Sequence, residues 1–120
     1  MCGSTTVTIT ISATNANPFP PTISDGTNVA STQMDDDNLT TAVKSGYIIV
    51  FKKGGDIGAL TGIYETGGSN VFSTNPAPQP DGTWKGVIGN FPANTIESYG
   101  ISYTVGAVTY NQDPKIMINK

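Results

Sequence analysis

Residues Thr5 to Ser12 alternate without a break: Val7, Ile9 and Ile11 point one way, Thr6, Thr8, Thr10 and Ser12 the other. A period of two with β-branched residues on both faces fits a half-buried strand. An amphipathic helix would need its apolar stripe at spacings of three and four. Further short apolar runs follow at intervals of about 8–12 residues, separated by turn signals. Seven or eight such strands predict an all-β fold: one domain over 1–120, an antiparallel Greek-key two-sheet β-sandwich of the immunoglobulin-like or cupredoxin-like kind.

Asn17-Pro18-Phe19-Pro20-Pro21 closes the first strand, because proline removes ladder donors. A short edge strand is expected around Ile23, with a turn at Asp25-Gly26. Met34 to Lys44 carries the one helical signal. Three aspartates stand where a helix N-terminus favours acids, Leu39 and Val43 are four apart, and Gly46 can cap. At most one short helix is therefore expected, near 35–44. Tyr47 to Phe51 is five apolar residues in a row, which predicts a central strand buried on both faces. Lys52 to Asp56 reads as a hairpin turn, and Leu60 to Glu65 as the returning strand, with Leu60 and Tyr64 on one face and Ile63 on the other. Gly67-Gly68 is expected to turn the chain again. Asn75 to Gly82, with three prolines, reads as an extended loop before a strand at Trp84–Ile88. Near the end, Tyr99, Ile101, Tyr103 and Val105 share a face. Gly106-Ala107 has the glycine-first signature of a type II′ turn, which sets Val105 opposite Val108 and Tyr103 opposite Tyr110. Ile116 to Ile118 forms the last strand.

The run Gly100 to Ile118, GISYTVGAVTYNQDPKIMI, resembles the closing hairpin of small bacterial β-sandwich proteins of the cupredoxin-like and immunoglobulin-like kinds. It also resembles the end of bacterial inclusion-body (PixA/AidA-type) proteins. The resemblance covers about a sixth of the chain and implies a sandwich. A cupredoxin copper site needs two histidines and a cysteine. This chain has no histidine and a single cysteine, Cys2, so the copper function does not carry over.

The same absences remove histidine-assisted nucleophilic triads and common zinc sites. Six basic residues against nine acidic ones leave a net charge of −3 and no basic face for nucleic acid. No run is long and apolar enough for a membrane helix, and none reads as a signal peptide. Met1-Cys2-Gly3-Ser4 is similar to the Cys-Gly-Ser start of a mature bacterial lipoprotein, although an incidental thiol is the simpler account. Low lysine and glutamate with abundant threonine and asparagine point to an extracellular or surface-associated protein.

Five groups of residues are candidates for a site or an interface. Trp84, the one tryptophan, follows the Pro-rich segment, and with Gln79, Asp81 and Asn90 it could form a sugar-stacking surface. The plainer account is a core tryptophan. Asp35, Asp36, Asp37 and Asn38 offer oxygens for calcium but lack the EF-hand glycine and glutamate, so a charged helix start is preferred. Glu65 and Glu97 are the only glutamates, and no spacing rule brings them together for glycoside chemistry. Tyr99, Tyr103 and Tyr110 belong either to the core or to a partner-facing strip. The Thr5–Ser12 ladder would serve as an edge for copies of the same chain if it lies outermost, since no lysine guards it. The expectation is a non-catalytic module that binds glycan or protein without a cofactor; a self-assembling structural subunit such as a filament, tube or inclusion-type protein is the alternative.

Overall fold

The computed structural model describes residues 5–26, 29–30, 32, 39–68, 70–112 and 114–118. They form eleven strands and, among the described residues, no helix: β1 (Thr6–Ala13), β2 (Thr22–Ser24), β3 (Val29–Ala30), β4 (Thr40–Val43), β5 (Ile48–Gly55), β6 (Ile57–Gly68), β7 (Phe72–Pro78), β8 (Trp84–Ile88), β9 (Ile96–Val105), β10 (Val108–Gln112) and β11 (Lys115–Ile118). One sheet runs β3-β2-β1-β5-β8-β7. In the other, β9 is flanked by β6 on one side and by β10 and β11, end to end, on the other, with β4 outside β11.

The two sheets close on one core. Ile9, Ile11, Ile23, Ile49, Phe51 and Ile88 from the first meet Tyr99, Ile101, Tyr103, Ile116 and Ile118 from the second, all at most 1% exposed. Phe51 and Tyr99 cross the interface edge to face, with ring centroids 5.5 Å apart. The alternation of β1 resolves as expected, with Ile9 and Ile11 fully inside and the threonines outside or half-buried. Tyr99 and Tyr103 are core. Tyr110 is half-buried and stacks between Tyr103 and Phe19. The closing hairpin has the expected register, Val105 opposite Val108 and Tyr103 opposite Tyr110, with φ of 63° at Gly106.

Several expectations are corrected. The sheets are mixed: β1 pairs with β5 in parallel, and so does β4 with β11. Parallel neighbours need a long crossover, and among the described residues strands lie within each of these connections. Residues 40–43, read as helix, are strand β4. A spacing of four places Leu39 and Val43 on one side of a strand as well as of a helix, and the β-branched Thr40, Thr41 and Val43 favour the strand. Residues 35–38 lie outside the described residues.

Lys52 to Asp56 is not a hairpin. β5 continues to Gly55, and β6, which follows, belongs to the other sheet. β5 is central, but burial alternates along it: Ile49 and Phe51 are inside, Ile48 and Val50 half-buried. A register shift between Leu60 and Gly62 in β6 turns Leu60 and Ile63 to the same inward face and leaves Tyr64 outside. Another shift, between Glu65 and Gly67, carries the strand on to Gly68 where a turn was expected. Pro76 and Pro78 lie within β7, an outermost strand, where prolines are tolerated. The threonine ladder is not an outer edge either, because β5 pairs along all of β1 and β2 covers Thr10–Ser12.

Two variants test this architecture. Gly55 adopts a φ of 62°, and a Cβ there would collide with the Ala13 carbonyl. Asp56 N–H donates to that same oxygen at 2.7 Å. Gly55→Ala should lower unfolding stability by about 2 kcal/mol or more in chemical denaturation, and an unchanged midpoint would refute this account of the corner. Tyr99 is fully buried and its hydroxyl has no hydrogen-bond partner among the described residues. Removing an orphaned polar group relieves a desolvation cost, so Tyr99→Phe should melt no lower than wild type. A clear loss of thermal stability would mean that the hydroxyl is held.

Candidate functional site

The parity of β9 sets up the site. Tyr99, Ile101, Tyr103 and Val105 point inward, and Glu97, two residues earlier, keeps that parity. It lies at the rim of the sandwich, 3% exposed, opposite Gly68 on one side and Ile116 on the other. Its Oε1 accepts the Val71 N–H at 2.8 Å. Val71 is itself fully buried where the chain passes from β6 into β7, and its carbonyl accepts the Gly89 N–H. A buried backbone donor needs a partner, and here that partner is a carboxyl side chain from the opposite sheet.

Glu97 lies in a cleft of about 250 Å³ whose walls also include Ile63, Tyr64, Glu65, Asn70, Asn75 and Pro76. β6 supplies Glu65, opposite Tyr99 and so two rungs along the ladder from Glu97. The segment entering β7 supplies the amides. Asn70 accepts the Phe72 N–H and donates to Asn75 Oδ1 at 3.1 Å, which orients the Asn75 amide. Tyr64, 43% exposed, lies across Gly100 and donates to Asn111. The two glutamates that sequence spacing left unconnected therefore share one cavity. Burial pushes the Glu97 carboxyl up to about 7, the Val71 N–H draws it back, and the charge of Glu65 raises it further. Glu97 thus exchanges its proton near neutrality.

The residues singled out from sequence are arranged differently. Gln79, Asp81 and Trp84 meet at the turn between β7 and β8. Asp81 accepts both the hydroxyl and the N–H of Thr83, hydroxyl first in effect, and these hold its carboxyl below the usual range. Gln79 bonds the Thr83 carbonyl through its backbone and the Ala77 carbonyl through its side chain. Trp84 is half-buried against the core, and its indole N–H donates to Leu60 O at 3.0 Å, tying β8 to β6. Asn90 lies beyond the far end of β8, within reach of Ser45. These four residues do not converge on one surface. Asp35, Asp36, Asp37, Asn38 and Cys2 lie outside the described residues. Among the described residues no three acidic or thiol side chains gather to hold a metal, and no helix is long and apolar enough to cross a membrane. A second hollow, lined by residues such as Thr14, Asn17 and Phe19, carries no charged side chain.

The Glu97 shift has a measurable effect on stability. The folded protein holds the Glu97 proton more tightly than the unfolded chain, whose carboxyl has the ordinary value of 4.5. The stabilisation is complete below about pH 4.5 and is lost as pH rises to about 7. At about 1.4 kcal/mol per unit, the loss is on the order of 3 kcal/mol. Glu97→Gln should remove this dependence and exceed wild type in stability at pH 8, and identical pH profiles for the two in urea denaturation would overturn it. Compared with known proteins, the chain matches no protein-family model and no curated protein at a significant level, so a functional reading rests on the chemistry of the cleft.

Proposed function

We propose that the protein is a non-catalytic binding module at an extracellular surface that recognises a glycan and seats one sugar ring in the Glu65–Glu97 cleft. The observation that carries this reading is the lining itself: two glutamates and two asparagines border one hollow whose lining has no lysine or arginine. Such groups pair with hydroxyls as donors and acceptors and suit a neutral, polyhydroxylated ligand better than an anion. At about 250 Å³ the hollow is smaller than the roughly 300–1,000 Å³ of pockets for drug-sized molecules, which supports a single terminal sugar.

The test is a titration of isotope-labelled protein with D-glucose, D-galactose, D-mannose, L-fucose and N-acetyl-D-glucosamine, followed by NMR at mildly acidic pH. At least one sugar should shift the side-chain amides of Asn70 and Asn75 and the backbone amide of Val71. Asn75→Ala should weaken that sugar about tenfold, the worth of one well-made hydrogen bond. No response to any of the five, or responses confined to the Gln79–Trp84 turn, would exclude the cleft as the glycan site.

A further inference from the structure

We propose that the cleft is proton-gated: Glu97 holds the sugar as a neutral acid, donating its O–H to a sugar oxygen, and releases it on ionising. This proposal depends on the glycan reading above.

The geometry gives the two oxygens of Glu97 different roles. Oε1 is committed to the Val71 N–H, so the second oxygen is the one left for the cleft. In the neutral acid that oxygen is a hydroxyl donor, and in the ionised form it is an acceptor only. A sugar seated in the hollow displaces water from this group. Removing water from a neutral acid that gains a hydrogen bond is inexpensive, whereas removing it from a charge that gains no counter-charge is not.

The neighbouring elements provide no counter-charge in the lining. β6 contributes Glu65 and Tyr64, neither of them a basic residue. β7 carries no titratable group. On β9 the next inward residue is Tyr99, whose phenol burial pushes upward, so it stays neutral. β11 sets Ile116 against Glu97, and Lys115 pairs with Ser98, which takes the other face of β9. Burial and the Glu65 charge then bring the transition to about pH 7.

The experiment repeats the five-sugar NMR titration at pH 5.5, 7.0 and 8.5. If only the protonated cleft binds, apparent affinity follows the protonated fraction and falls about 30-fold from pH 5.5 to 8.5, with its midpoint near 7. Glu65→Gln should keep the step and move its midpoint lower. Glu97→Gln should abolish the step. The wild-type series decides the matter even if Glu97→Gln folds poorly. Equal affinity at all three pH values, or tighter binding at pH 8.5, overturns the gate and leaves the glycan reading intact. No binding at any pH overturns both.

Discussion

The second sheet is built on β9. β6 lies along one side of it, β10 and β11 divide the other, and β4 joins the sheet by pairing with β11. Its inward face, Glu97 to Val105, closes over the inward face of β1, β5 and β8. A sheet with one apolar face has to bury it against another element, and β9 supplies the largest fully buried side chains, Tyr99 and Tyr103. Each tyrosine also reaches beyond its own sheet: Tyr99 to Phe51 by ring contact, Tyr103 to the Pro18 carbonyl by a hydrogen bond of 2.8 Å. Thr41 donates to Asp25 at 2.8 Å in the interior, a further polar tie between the sheets.

Much of this is local in origin and legible. The faces of β1 and β9 follow from alternation, and the closing hairpin follows from a glycine in the one position where a positive φ is required. What the residues do not disclose is non-local. Nothing in Thr5–Ser12 says that β5 will lie beside it in parallel, because neighbour choice depends on what the rest of the chain leaves free. The shifts in β6 are equally hidden, since one inserted residue reverses every face beyond it. Residues 40–43 fail for another reason: a spacing of four satisfies both periodicities.

The cleft follows the same division. Extending the parity of Tyr99 and Ile101 by one step puts Glu97 inside, so half of the site could be read from the strand pattern. Its neighbours could not. Glu65 reaches the cleft through a shifted ladder, and Asn70 and Asn75 through a crossover between sheets. Trp84 attracts attention as the sole tryptophan, yet its indole N–H is occupied in holding β8 to β6. In a chain with so few charges, the mark of the cleft is one carboxyl group on the otherwise inward-packed face of β9.

The parallel pairing of β4 with β11 sets the order in which the molecule can be completed. Thr40 waits for Lys115, 75 positions later, a delay of roughly 4–15 s at ordinary rates of translation. By contrast, every strand of the first sheet has been synthesised once Ile88 has been added. Until β9 docks, an assembled first sheet leaves Ile9, Ile11, Ile49 and Phe51 without their cover. Any folding route that completes the first sheet before β9 docks thus has one finished apolar face open to water, and it is in that interval, rather than in the mature fold, that the threonine-rich strands are most liable to join the wrong neighbour.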